Sequence, residues 1–287
     1  MSHSLGSIRQ TDISKEPFVA ADKTCGDKGR GKFHTATYNH FNGTGETPMT
    51  NPTAAMLVIG DEILSGRTRD ANMHHLAGQL TEAGIDLTEV RVVSDDAPAI
   101  VAAVKALSSS YTHVFTSGGI GPTHDDITAD CIAAAFDAHI DVRDDARALL
   151  QAHYDKSGQE LNTARLRMAR IPDGAVLIDN PVSTAPGFSL QNVHVMAGVP
   201  SVFQAMVASI LPTLTGGKPL LSQTLRVVRG EGDIAGPLGE FANRYPNLSV
   251  GSYPFQKDGI YGANLVVRGK DAGALDTAMA ELAQVFA

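Results

Sequence analysis

Between Thr116 and Asp130 the chain reads TSGGIGPTHDDITAD. Gly118, Gly119 and Gly121 lack Cβ atoms, so the backbone there can take φ > 0 and approach a ligand closely. Successive N–H groups in such a loop form an anion nest, and the helix that follows adds its positive N-terminal end. Thr123 can donate its hydroxyl to a phosphate oxygen. Asp125 and Asp126 would repel that anion unless a cation lies between them. The pattern points to a phosphate held by backbone amides and bridged to carboxylate by Mg²⁺ or a similar hard ion. Such an ion polarises a phosphoryl group for attack by water or by another phosphate. His124 reads as a solvated loop residue, and Asp130 as a first-turn helix acid without chemistry.

These residues need a scaffold that brings them to one edge. AAMLVIG from Ala54 is a continuous apolar run, as in a strand buried on both faces. The polar loop DEILSGRTRD follows. Asn72 to Ala83 reads as a helix, with Leu76 and Leu80 four apart and Gly84 as its stop. IDLTEVRVV is a second strand. SDDAPAIVAAVKALSSS is a second helix, capped by Ser94 or Asp95, with Pro98 in its first turn. THVFTS is a third strand, and TADCIAAAF opens a third helix after the glycine loop. This βαβαβα order implies a mostly parallel sheet with helices on both faces, a three-layer α/β/α fold. Ligands of such sheets bind beyond the carboxyl ends of the strands. Asp61 and Glu62, Asp95 and Asp96, and the glycine loop all fall at that edge.

DDARALLQAHYDKSG and NTARLRMARI read as helical. GAVLIDNPV and FSLQNVHVMAG read as strands, and VPSVFQAMVASILPTL as a closing helix. TGGKP is a linker. TLRVVRG, IAGPLGEFANRYP, LSVGSYPF, GANLVVRGK and DAGALDTAMAELAQVFA then spell βαββα, a small C-terminal α+β domain. The expected division is an extension over 1–53, a large domain over 54–214 and a small one over 220–287. Residues 1–53 are rich in Gly, Thr, Asn and charge without period and read as disordered; Met49 is an alternative start. His34, His40 and Cys25 fit no standard metal spacing.

The chain has 287 residues, 43% hydrophobic, enough for a real core, and a formal charge of −8. That acidity argues against a nucleic-acid partner, but not against small nucleotides bound through amides. The two cysteines, Cys25 and Cys131, form no CxxC pair. No apolar stretch approaches the roughly 20 residues of a membrane span, and no signal peptide is evident. A cytoplasmic setting is expected.

Four segments, IGDEILSGRTRDAN (59–72), SGGIGPTHDDIT (117–128), NPVSTAPGF (180–188) and AGVPSVFQAM (197–206), carry a resemblance. Residues 54–214 resemble the molybdopterin-binding (MoaB/Mog-like) fold, and more closely the N-terminal domain of the competence/damage-inducible protein A (CinA-like) family. The small domain resembles the one that follows there. The resemblance implies a domain that often forms homo-oligomers and holds a pterin or nucleotide phosphate at the GGxGPT loop. It implies that Asp95 and Asp126 are the acids nearest the phosphates, with Glu62, Asp125 and Asp126 available to a metal. Gly118, Gly119, Gly121 and Thr123 match the anion loop. Ser183, Thr184 and Gly187 match a second loop, and Gly198, Pro200 and Ser201 match a GVPS turn. Ala197 and Val202 depart from relatives that carry a proline and an acid there. The function implied is a divalent-metal-dependent nucleotide pyrophosphatase acting on ADP-ribose or FAD. The alternatives are a molybdopterin adenylyltransferase and a non-catalytic pterin- or nucleotide-binding module.

Overall fold

Strand β1 (Thr53–Ile59) shows why an uninterrupted apolar run belongs at the centre of a sheet. Ala55, Leu57 and Ile59 enter the core on one face, while Ala54, Met56 and Val58 enter the core on the other. Both faces of β1 are therefore sealed, and alternation disappears from its sequence. The computed structural model describes residues 50–287, which belong to one compact unit. The readings placed on Cys25, His34, His40 and Met49 lie outside the described residues.

After β1 come a one-turn helix α1 (Asp61–Leu64), helix α2 (Asn72–Ala83), strand β2 (Asp86–Val93), helix α3 (Ala97–Ser110) and strand β3 (His113–Ser117). Then follow α4 (Thr128–Ala135), β4 (Ile140–Val142), α5 (Asp144–Ser157), α6 (Thr163–Leu166), β5 (Arg170–Pro172) and β6 (Val176–Ile178). The large domain closes with β7 (Gly187–Leu190), β8 (Val193–Met196) and α7 (Pro200–Ile210). Its six-stranded sheet runs β2-β1-β3-β8-β7-β6, with β2, β1, β3 and β8 parallel and β7 antiparallel to both its neighbours. In α3, Ile100, Ala103, Val104 and Leu107 repeat at helical spacing and pack on one face with α4 and α5. Leu76 and Leu80 of α2 cover the other face with Phe203 and Met206 of α7. The expected three-layer α/β/α fold, mostly parallel, is the observed one.

Several local readings need correction. FSLQNVHVMAG is a hairpin, β7 and β8, turning at Gln191 with φ 52°. Its turn holds no Gly or Pro, and both its strands are buried, so neither turn chemistry nor alternation marks it. NTARLRMARI is helical only through Leu166; Arg167–Ala169 tighten into a 3₁₀ turn and Arg170 starts β5. The loop DEILSGRTRD opens with the turn of α1. The cap of α3 is Asp96, not Ser94 or Asp95: its carboxylate accepts from the Ala99 N–H at 3.0 Å. Asn51, placed by its composition in the disordered extension, is buried, and its amide donates to the Lys218 carbonyl at 2.8 Å.

The last third forms β9 (Leu221–Val227), α8 (Glu231–Arg244), β10 (Ser249–Lys257), β11 (Ile260–Gly269) and α9 (Ala272–Val285). Strand order is β10-β11-β9, antiparallel, over a separate core containing Phe241, Leu265 and Leu282. Asp258 and Gly259, at φ 53° and 76°, make the two-residue turn between β10 and β11.

A buried histidine on β8 gives a prediction. His194 is 4% exposed, with Ser189 Oγ at 2.9 Å from Nδ1 and His113 Nδ1 at 3.2 Å from Nε2. Burial, and secondarily His113, push its pKa from 6.5 down to about 4. The folded pKa lies below the unfolded one, so the fold favours the neutral ring. That stability is complete above pH 6.5 and is lost as pH falls toward 4, by about 3 kcal/mol. Urea midpoints measured from pH 7 downward are expected to show the loss, and His194→Gln to flatten it.

Candidate functional site

The carboxyl ends of β1, β2, β3 and β8 open into a cavity of about 530 Å³. One wall is the loop from Gly118 to Pro122. Glu62, Asp95, Asp125 and Asp126 line the same cavity, and Ser183 and Gly198 contribute from the loops after β6 and β8. Topology thus brings together acids that stand 64 residues apart in the sequence, Glu62 to Asp126.

The loop is built by backbone constraints. Gly118 and Gly119 have φ of 110° and 68°, conformations that cost a residue with a Cβ. A Cβ on Gly118 would run into the Ile59 carbonyl, and one on Gly119 into Thr128 Oγ1. The buried Thr128 donates its hydroxyl to the Gly118 carbonyl at 3.0 Å and its N–H to the Gly119 carbonyl at 2.9 Å. Asp126 Oδ2 accepts from the N–H of Thr123 at 2.8 Å and from its hydroxyl at 2.5 Å. Arg167 donates from Nη2 to the Asp126 carbonyl at 3.1 Å, tying the loop to the segment beyond α6.

Across the cavity, Asp95 Oδ2 accepts from the Asp61 N–H at 3.0 Å. Burial raises the Asp95 pKa above its ordinary value, and the charges of Asp61, Glu62 and Asp125 add to that shift. Four acids lining one cavity repel each other and favour a positive charge among them. The donors are all oxygen, which suits a hard cation. Among the described residues, no three His, Cys, Asp or Glu side chains are grouped closely enough to hold a metal by themselves. By itself the set makes no metal site; one or two of its carboxylates are as many as Mg²⁺ takes where ligand phosphates and water complete its shell.

Some expected site residues lie elsewhere. The Thr123 hydroxyl is turned to Asp126, not into the cavity. Gly187 is the first residue of β7, where a Cβ would strike the Val195 carbonyl; its glycine serves sheet packing. Ser201 is exposed on the first turn of α7. Thr184 points to His153, Oγ1 to Nδ1 at 3.1 Å, at a φ of 65° that is unusual for a β-branched residue. His124 is fully exposed, and Asp130, in the first turn of α4 as expected, pairs with Arg170.

Other contributors were not singled out from sequence. Asn180, buried, donates to Ser183 Oγ at 2.7 Å and the Ala185 carbonyl at 2.8 Å, so it shapes the second loop. Asn72 donates to Ser117 Oγ and to the Gly198 carbonyl, each at 2.8 Å, locking the start of α2 to two strand ends. Both are short polar residues inside resembling segments, the one signal available for them. Ile59, Ile120, Val199 and Val202 give the cavity an apolar side.

Comparison with known proteins gives the family. Residues 55–216 match the family described as "Probable molybdopterin binding domain", and residues 219–287 match "FAD synthase, middle domain". A probable FAD synthase of Caenorhabditis elegans is 30% identical over 260 residues, which cover 82% of this chain and 50% of that protein. The chain thus spans about half the length of that relative. A protein of Thermococcus kodakarensis is 32% identical over 236 residues, 78% of this chain and 93% of its own. The crystal structure of the protein CinA, of unknown function, from Thermoplasma acidophilum superposes with a TM-score of 0.53 at 32% identity, over 57% of this chain and 98% of that one. The chain belongs to the molybdopterin-binding-domain family, and its large domain is CinA-like.

Proposed function

We propose that this protein hydrolyses the phosphoanhydride of a dinucleotide of the FAD or ADP-ribose type, with a divalent metal as cofactor. The observation that carries this reading is one cavity with an amide-rich glycine loop on one wall and four acidic residues on the others. The apolar side formed by Ile120, Val199 and Val202 suits a planar ring. The FAD synthase names of the relatives, and the family of residues 219–287, support FAD as the first substrate to try.

In this mechanism the N–H groups of Gly119 and Gly121 hold one phosphate. Asp95 orients a water and takes its proton, a task favoured by a pKa that burial holds above the ordinary carboxylate value. The water oxygen bonds to one phosphorus as the bridging P–O bond breaks; FAD then gives FMN and AMP. A divalent ion held by Asp126 with Glu62 or Asp125 would supply the charge neutralisation that phosphoryl transfer needs. Chromatography after incubation with FAD or ADP-ribose, with Mg²⁺ or Co²⁺, tests this directly. AMP that appears only with metal supports it.

A pure binding module is the second reading. It is favoured by Val202, an apolar residue in the cavity wall at a position where the CinA-like resemblance implies an acid. A rise in Tm with FAD and no AMP over time would select it.

Asp95 also predicts a trade-off. A carboxyl whose folded pKa exceeds its unfolded one lowers stability above both values, because the unfolded chain gives up the proton more readily. Asp95→Asn keeps an acceptor for the Asp61 N–H and removes the charge. Its Tm at pH 7 without metal is expected to rise while turnover falls; a lower Tm would contradict the repulsion argument.

A further inference from the structure

The net charge of −8 averages over faces that differ sharply. The β10-β11-β9 sheet buries one face under α8 and α9 through residues such as Val227, Leu265 and Val267. Its other face is open. Tyr253 pairs there with Asn264, and Phe255 with Gly262. The Arg226 guanidinium lies 3.9 Å from the centre of the Phe255 ring, reaching it across β11 because Gly262 puts no side chain between them. The Arg268 guanidinium lies 5.5 Å from the centre of the Tyr253 ring, which leans over Gly251 and is 45% exposed as a residue. Lys257 adds a third cation at the end of β10. Among the described residues, none of these three cations is in a salt bridge. No outward position of the three strands carries Asp or Glu.

An open sheet with aromatic rings and unneutralised cations presents two complementary features. Its cations can take phosphates or carboxylates, and the two arginine–aromatic pairs offer flat surfaces on which a further ring can stack. A chain of bases on a phosphate backbone meets both. Residues i and i+2 of a strand stand about 7 Å apart on one face, so Tyr253 and the Phe255–Arg226 stack can each take a separate base. A duplex hides its base faces, and an acidic peptide leaves the rings idle. We propose that the outward face of the β10-β11-β9 sheet binds single-stranded nucleic acid, stacking bases on Tyr253 and Phe255 and pairing phosphates with Arg226, Lys257 and Arg268. This runs against the expectation drawn from net charge, which does not see how charge is distributed. It is independent of the chemistry assigned to the glycine loop.

Fluorescence anisotropy of the full chain tests it, using a labelled uridine oligomer of about 12 nucleotides, the DNA strand of equal length and its duplex. Single strands are expected to bind more tightly than duplex. Three phosphate contacts predict a slope of log K against log salt of about −2. The triple change Arg226→Gln, Lys257→Gln, Arg268→Gln should flatten that slope. Tyr253→Ser should keep the slope and weaken binding roughly 5- to 150-fold, with an unchanged melting curve. Any of three results overturns the proposal: duplex bound as tightly as single strand, no single-strand binding at low salt, or unaltered affinity in Tyr253→Ser. Displacement of the oligomer by FAD would place it in the loop cavity and overturn the proposal equally.

Discussion

Asp126→Ala is expected to lower metal-dependent AMP release from FAD by about 10²–10³-fold, the usual cost of removing one fixed electrostatic contact to a reacting phosphate. Two effects combine in that variant. The carboxylate leaves the cavity wall, and the Thr123 N–H and hydroxyl lose the oxygen they share at 2.8 and 2.5 Å. The second effect costs about 1 kcal/mol of stability, and Asp126→Asn separates it from the first. The amide retains an oxygen for the Thr123 N–H but carries no charge. Turnover should therefore collapse in both variants, while Tm falls only in the alanine. Steady-state rates with Mg²⁺ and with Co²⁺, beside melting curves, provide the comparison. If Asp126→Asn keeps its rate within about twofold, the carboxylate charge has no part in the reaction and the assignment fails.

The second large effect is expected at Gly119. An alanine there must adopt φ near 68°, and its Cβ collides with the hydroxyl of Thr128, a residue fully buried beneath the loop. Thr128 cannot withdraw without giving up its bond to the Gly118 carbonyl. Backbone strain and overpacking together should cost roughly 2–5 kcal/mol, which for a domain of this size lowers Tm by about 10 °C. FAD binding should vanish in whatever folds, because the amides no longer converge. Gly66→Ala is the internal control. Its φ is also positive, at 72°, but nothing lies within 4 Å of the added Cβ. It should lose only the backbone part, about 1 kcal/mol, and retain binding. Equal losses at the two positions in differential scanning fluorimetry would show that the collision with Thr128 is relieved.

How much of this could be read without coordinates depends on the range of the interactions involved. The apolar run of β1, the Leu76–Leu80 spacing of α2, Pro98 in the first turn of α3 and the Asp258–Gly259 turn are local choices, settled by neighbours a few residues away. The three-layer fold follows from them, since short βα connections leave a parallel sheet few other arrangements. Once that topology is accepted, Glu62, Asp95 and the glycine loop must share an edge, so the cavity and its acids were legible too.

What the residues alone left open is what occupies the space a glycine clears. The place of a Cβ is filled at all three, by the Ile59 carbonyl at Gly118, the Thr128 hydroxyl at Gly119 and the Val195 carbonyl at Gly187, but only Gly118 and Gly119 also border the cavity. The two cases look identical as letters. The Thr123 hydroxyl has the same ambiguity, because a donor three residues from a carboxylate serves the turn as readily as a ligand. The β7–β8 hairpin was hidden because burial on both faces erases alternation and its turn uses Gln191 at positive φ instead of glycine. The cationic face of the small sheet was hidden by summation, since Arg226, Lys257 and Arg268 vanish into a negative total. Long-range contact decides these matters, and only the folded chain supplies it.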